Sequence, residues 1–465
     1  MNDARLAEAQ RQRFLEILGT DGLLLETADR WTYGYDNSRR HCTPLAVALP
    51  ANAVEVAAVV ALCNESNLSL VVRGRGTGTA GAAVPIAGGL VLSTERLDRI
   101  IQVDPDNRVL VTQPGATNQA VQQAAAEYGF FWPPDPTSAA VCTIGGNLSC
   151  NAAGPRAVKY GTPRENTLGL RGVTGDGRPL RTGVYTTKGV VGYDLTRLLL
   201  GSEGTLGVIT EATLKLSPLP EARRTLRALY RSTRTAAEAV ARIMAQPVTP
   251  CALEFMDEGA IGMIRNYSKI TIPEEVGALL MIEVDGPAAC IDHAADAVAE
   301  AARNVDCLEL IEARNAGEIQ ALWQMRKALS PALRNVAPKK INEDVVVPVS
   351  RMPDLIDGLN DLGRHYGITI VNFGHAGNGN IHVNLLVDPD DPSQMGAAAE
   401  CLSDIFDMVL GLDGTLSGEH GIGLDKRDYV VRETDPVALD LMHRIKAQFD
   451  PRGILNPGKK LPPLE

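Results

Sequence analysis

Apolar residues recur at helical spacing over 51–66, ANAVEVAAVVALCNES, directly after Pro50. A short strand pattern, LSLVVR (68–73), comes next, then a glycine-dense loop, then a second strand pattern, GLVLST (89–94). Residues 116–129 predict another helix, ending at Gly129. PPDP (133–136) must be extended or turned, because proline continues neither a helix nor a central strand. GVITEATLKL (207–216) alternates apolar and polar positions and reads as a strand with one wet face. Pro218 and Pro220 break that pattern and mark a boundary. Residues 221–370 are glycine-poor and mix apolar strands with amphipathic helices, and QFDPRGILNPGKKLP (448–462) is rich in turn residues. The rhythm is that of an α+β chain.

At the N-terminus, MNDARLAEAQRQRFLEILG carries charge throughout and gathers Leu6, Phe14, Ile17 and Leu18 on one face. An amphipathic helix is expected there, not a signal peptide. The most apolar stretch, Leu45 to Cys63, is interrupted by Pro50, Asn52 and Glu55, so no membrane span is expected. Lys and Arg total 45 against 56 Asp and Glu, a net charge of −11, and aromatic residues are only 4%. That balance argues against nucleic-acid binding and against adhesion to anionic membranes. The eight cysteines never occur at C-x-x-C spacing, which removes zinc-finger and thioredoxin-like readings and suits a reducing compartment. A cytoplasmic protein is expected, with peripheral attachment to an inner membrane through a partner left open.

Candidate chemistry lies in the glycine clusters. RGRGTGTAG (73–81) contains a literal G-x-G-x-x-G at Gly76, Gly78 and Gly81. A Rossmann site requires a helix to open within such a loop, and AAVPIAGG has no helical pattern. A loop of this kind can still cradle a diphosphate on consecutive backbone amides, while its bland alternative is a long surface connection. Two further blocks accompany it: PPDPTSAAVCTIGGNLSCNAAGPRAVKYGTPRENTLGL (133–170) and GYDLTRLLLGSEGTLGVITEATLKLSP (192–218). Further on, NFGHAGNGNIHVN (372–384) and GTLSGEHGIG (414–423) hold three of the seven histidines in glycine- and asparagine-rich settings. Loops that place polar groups have this composition. His375, His382 and Glu419 would form a three-ligand set with open positions, as in a catalytic metal site. H-E-x-x-H and G-x-S-x-G are both absent.

In their order and spacing, the three N-terminal blocks resemble the FAD-binding domain of the vanillyl-alcohol oxidase / p-cresol methylhydroxylase superfamily. The second half resembles the C-terminal cap of FAD-linked 2-hydroxy-acid dehydrogenases, a group that includes D-lactate dehydrogenase, the glycolate oxidase catalytic subunit and D-2-hydroxyglutarate dehydrogenase. The resemblance implies a two-subdomain FAD-binding domain of the p-cresol methylhydroxylase type over 43–218, after an N-terminal helical segment, 1–42. It implies an α+β cap with an antiparallel sheet and a metal site over 219–447, and a tail, 448–465, that packs back on the flavin domain.

Carried over by motif, Arg73, Gly74, Arg75, Gly76, Thr77, Gly78 and Thr79 wrap the FAD pyrophosphate. Pro133, Asp135, Thr137, Ser138, Thr143, Gly145, Gly146 and Asn147 line the ribityl and isoalloxazine side. Gly154, Tyr160 and Gly161 continue the pocket, Glu203, Gly204, Gly207 and Ile209 close on the adenine half, and Asn456 lies near the cofactor. The first loop has no histidine, so the FAD is expected to be non-covalent. His375, His382 and Glu419 match ligands of a divalent metal, zinc first; His420 matches the catalytic base, Arg326 the partner of the substrate carboxylate and Asn384 a substrate-side polar residue.

The implied reaction oxidises a small D-2-hydroxy acid to the 2-keto acid by hydride transfer to the flavin. D-lactate is favoured and glycolate next, because Asn342 stands where dicarboxylate enzymes have a lysine. Electrons would leave to a quinone, a cytochrome, an iron–sulfur subunit or an electron-transfer flavoprotein; a homodimer is left open. The competing readings are a D-2-hydroxyglutarate dehydrogenase, a non-redox flavin synthase of the same fold, a non-catalytic flavin subunit, and a zinc hydrolase.

Overall fold

The computed structural model describes residues 6–85, 88–265, 272–333 and 336–463; the first five residues of the expected N-terminal helix and the last two of the tail lie outside that set. The chain divides into two compact units. One comprises 1–153, 161–219 and 419–465; the other comprises 154–160 and 220–418. The break at Leu219–Pro220 falls where the prolines interrupt the strand pattern. The return falls at Gly418–Glu419 instead of at 447, which places 419–447 with the tail in the first unit. No helix among the described residues is long and apolar enough to cross a membrane.

In the first unit the helix Ala53–Glu65 starts at Asn52, whose side chain accepts the amides of Val54 and Glu55. Its buried Val56, Val59, Val60, Leu62 and Cys63 meet Phe14 and Leu18 of the helix Glu8–Leu18. These side chains cover a four-stranded sheet in the order Leu23–Leu24, Val47–Ala48, Leu90–Ser93, Leu70–Arg73, whose last three strands run parallel. A five-stranded antiparallel sheet follows in the order Ile100–Asp104, Val109–Thr112, Val208–Lys215, Thr167–Val173, Pro179–Gly183. Glu211, Thr213 and Lys215 of Val208–Lys215 are half-buried between buried neighbours, which is the expected wet face. Buried Trp132 and Ile144 pack against this sheet, and the Trp132 indole donates to the Asn166 carbonyl. The tail joins the first sheet: the Leu70 amide donates to the Ile454 carbonyl, and the Asn456 amide donates to the Leu70 carbonyl, both at 2.8 Å.

The second unit is built on one seven-stranded antiparallel sheet. Its order is Cys307–Glu312, Ala222–Tyr230, Ala278–Gly286, Ala252–Asp257, Thr369–His375, Asn380–Val387, Lys339–Val346. Every residue of the central strands Ala252–Asp257 and Asn380–Val387 is buried, so both faces of the sheet are covered there. One face meets Leu322, Met325 and Leu329 of the helix Ala316–Ala332, which pack with Met256, Leu279, Met281, Val371 and Phe373. Cross-strand register then fixes what shares that face. Side chains alternate along a strand and paired residues point the same way. Glu254 lies two residues from Met256 and pairs with His375; Phe373 pairs with His382; Asn384 pairs with Val371 and with Asn342; and Asp344 pairs with His382. The histidine motif is therefore presented to the helix that carries Arg326.

Candidate functional site

In the first unit the glycine loop is drawn against the second sequence block. A Cβ at Gly74 would lie 2.3 Å from the Thr143 hydroxyl, so only glycine permits this approach. Thr143 caps the helix Ile144–Cys150 by accepting the Gly146 amide. Asn456 donates to the carbonyls of Glu203 (2.6 Å) and Ala82 (3.0 Å), and the Lys459 ammonium donates to Ala82 and to the Asn456 amide oxygen. Burial pushes the Lys459 pKa down to about 7. Three sequence-distant segments, 73–82, 203–204 and 456–459, thus meet, and 143–147 joins them through Gly74.

Whether these residues suit FAD can be tested on them directly. A Cβ at Gly78 would meet nothing within 4 Å, which leaves the backbone there open to a ligand. The Asn147 side-chain amide nitrogen is buried with no hydrogen-bond partner among the described residues. A bare glycine backbone and an amide donor awaiting an acceptor suit an extended dinucleotide.

Other expected cofactor residues have protein partners. The Arg73 guanidinium donates to the Tyr35 carbonyl at 2.5 Å and lies 5.9 Å from the ring centres of Tyr33 and Tyr35. Thr77 and Gly78 offer their carbonyls to Asn37. Arg75 and Thr79 lie on the same loop. The Glu203 carboxylate accepts the amides of Ile422 (2.9 Å) and Gly423 (2.7 Å), so it pins the loop after His420. Pro133 and Pro134 are buried, and the Asp135 amide donates to Ala153. Thr137 and Ser138 lie in the turn before Cys142, where the Ser138 carbonyl accepts the Val141 and Cys142 amides. Gly145 packs on Pro114, Gly207 on the Val173 carbonyl, Gly204 beside Val72, and Ile209 in the core of the antiparallel sheet. Gly161 stays with the first unit, whereas Gly154 and Tyr160 belong to the second. There the Tyr160 hydroxyl donates to Asp285 at 2.9 Å, and Lys159 pairs with the same carboxylate.

The histidine motif gives the second centre. His375 and His382 belong to the second unit, and Glu419 opens the segment that returns to the first. The strands Thr369–His375 and Asn380–Val387 bring the two rings to 5.2 Å, near perpendicular at 85°. Glu419 directly follows Gly418. That stretch extends the sheet edge: Thr415 exchanges backbone bonds with Val346, and Gly418 donates to the Asp344 carbonyl. Two imidazoles placed this way suit zinc or a similar divalent ion. His420 is half-buried beside Glu419 in sequence.

Sequence reasoning missed Glu254. This carboxylate is buried, and its oxygens accept from His375 Nδ1 and from Arg326 Nε, each at 2.6 Å. Burial opposes its ionisation, yet His375 and Arg326 outweigh it and hold the pKa below the usual carboxylate range. The Arg326 guanidinium lies 4.9 Å from the Phe373 ring centre, and its Nη nitrogens make no hydrogen bond among the described residues. Asn384 is fully buried; it donates to the carbonyls of Val371 and His382 and accepts from Asn342 at 2.6 Å. Lys340 donates to the Ser330 hydroxyl. The one available signal for Glu254 was an acid inside the apolar run of ALEFM.

Comparison with known proteins agrees with both halves. Residues 219–460 match the model of the C-terminal domain of FAD-linked oxidases, and residues 44–183 match a model described as an FAD-binding domain. The glycolate oxidase subunit GlcD of Bacillus subtilis (strain 168) is 37% identical over 450 residues, which cover 97% of this chain and 96% of that one. The D-lactate dehydrogenase of Archaeoglobus fulgidus is 35% identical over 415 residues, 89% of this chain and 90% of that one. Among solved structures, p-cresol methylhydroxylase superposes with a TM-score of 0.80 at 18% identity, over 98% of each chain. Alkyldihydroxyacetonephosphate synthase reaches 0.75 at 19% identity, over 99% of this chain and 87% of that one. At such identities the superpositions speak for the fold alone.

Proposed function

The chain belongs to the FAD-linked oxidases, and from that premise we propose that it oxidises a small D-2-hydroxy acid to the 2-keto acid, D-lactate first and glycolate next. The reaction uses non-covalent FAD and a divalent metal and passes electrons to an acceptor other than NAD. The observation that carries this reading is the pair of perpendicular histidine rings, His375 and His382, 5.2 Å apart, beside a glutamate-held arginine. Bound FAD supplies the two-electron sink, and a bound divalent ion supplies a positive centre that acidifies a hydroxyl.

The residues supply the rest. His375, His382 and Glu419 would hold the ion. The Nη edge of Arg326 would take the substrate carboxylate as a planar, permanently charged fork, its Nε already fixed by Glu254. His420, which follows Glu419 directly in sequence, would accept the hydroxyl proton. Asn384 holds its strand against the Asn342 side chain. The neutral Asn342 offers no charge to a second carboxylate, which supports a monocarboxylate substrate.

An anaerobic absorbance titration of the FAD- and zinc-replete protein tests the proposal. D-lactate or glycolate should bleach the flavin while L-lactate does not, and His420→Ala should abolish the bleach. Reduction by D-2-hydroxyglutarate alone would overturn the monocarboxylate reading. A yellow protein that resists all four acids would overturn the small-hydroxy-acid reading.

A further inference from the structure

Glu254 sits between two groups that the proposed function uses separately, and neither motif that led to the site contains it. We infer that Glu254 is a positioning residue that sets the metal-binding tautomer of His375 and at the same time anchors Arg326, so that the metal site and the carboxylate-binding arginine share one buried anionic post. The inference rests on the proposed metal site and deepens it.

Register places Glu254 directly opposite His375 on neighbouring antiparallel strands. Its carboxylate is 1% exposed and spends one oxygen on each partner, Oε1 on His375 Nδ1 and Oε2 on Arg326 Nε. A carboxylate held in its charged form by Arg326 can only accept, so Nδ1 must carry the proton. The Nε2 lone pair of His375 is then the one left for a metal. The same bond makes the imidazole a better donor and stops the ring from turning.

The remaining contacts close a circuit. From Glu254 the path runs to His375, then to the perpendicular His382 ring (5.2 Å), then to Phe373 (5.8 Å), then to the Arg326 guanidinium over that ring (4.9 Å), and back to Glu254. Every member is buried. Side chains packed this way hold one arrangement, so a change in charge at Glu254 is felt by both partners.

The test is Glu254→Gln in the full-length FAD-loaded protein, which keeps the shape and removes the charge. Zinc affinity is read by competition with a chromophoric chelator. A fall of about 10- to 100-fold is expected, with the flavin spectrum unchanged. A merely structural Glu254 would lower the melting temperature and leave the chelator competition where it was, and that result overturns the inference. If the parent protein itself takes up no zinc, the proposed function fails and this inference with it. If the parent binds zinc and Glu254→Gln binds it equally well, this inference alone falls. Should Glu254→Gln not fold, the His375 tautomer in the intact protein decides, read from long-range proton–nitrogen spectra of histidine-labelled material. Protonation at Nδ1 upholds the inference and protonation at Nε2 overturns it.

Discussion

Lys459 is 3% exposed, and both of its recorded acceptors, the Ala82 carbonyl and the Asn456 side-chain oxygen, are uncharged. Burial lowers its pKa from 10.5 to about 7. Below that value the folded and unfolded chains both carry the proton, and the folded state bears the full cost of burying the charge. Between about 7 and 10.5 only the unfolded chain keeps the proton, so stability rises with pH. Urea unfolding of the parent and of Lys459→Met should therefore diverge above pH 7, the parent gaining up to about 1.4 kcal/mol per pH unit on the variant. Parallel pH profiles would contradict this. At this scale the sequence was most legible where residue type is rare. His375, His382 and Glu419 stand out as polar groups in glycine-rich stretches that read as loops; the structure instead puts the two histidines on neighbouring strands, their rings 5.2 Å apart. Glu254, Arg326 and His375 are 72 and 121 positions apart in their two hydrogen bonds. No local pattern announces a carboxylate whose partners lie so far along the chain, and the reading of Arg326 therefore stopped at the substrate and missed its anchor.

Among the elements, the turn between Thr369–His375 and Asn380–Val387 carries the geometry of the histidine pair. Gly379 closes it at φ 70°, and a Cβ there would lie 1.9 Å from the Val347 carbonyl oxygen, which accepts no such neighbour without backbone movement. Gly379→Ala should lower stability by roughly 2–4 kcal/mol, from the left-handed backbone and the clash together. Because the displaced strands carry His375 and His382, zinc content after dialysis should fall as well; a melting point and metal content equal to the parent's would refute this. The helices 53–65 and 118–126 and the strands 70–73, 90–93 and 208–215 were readable from periodicity, because each buries one face locally. The order of the seven-stranded sheet was not. Its strands pair across long separations, Lys339–Val346 at one edge with Asn380–Val387 and Cys307–Glu312 at the other with Ala222–Tyr230, and hydrophobic pattern selects a face, not a neighbour.

For the molecule as a whole, FAD and the metal ion should protect different sets of backbone amides. Hydrogen exchange on the stripped protein should show FAD protecting amides at 73–82, 143–147 and 203–209. Zinc should protect 369–387. A ligand that binds only the folded state raises the free energy of local opening by RT ln(1 + [L]/Kd), about 2.7 kcal/mol at a hundredfold excess over Kd. Zinc protection confined to the first unit would displace the metal assignment.

The division of the chain bears on how the protein is made. The first unit needs Leu70 to pair with Ile454 and Asn456, and it takes in everything from Glu419 onward. On a ribosome those partners emerge after the second unit. By then every residue of the second unit, whose final segment closes at Gly418, has already been synthesised. The first unit can therefore be completed only after the second has been synthesised. A chain that stalls after Gly418 would leave the strand Leu70–Arg73 with an open edge, the kind of surface on which quality control and aggregation both act.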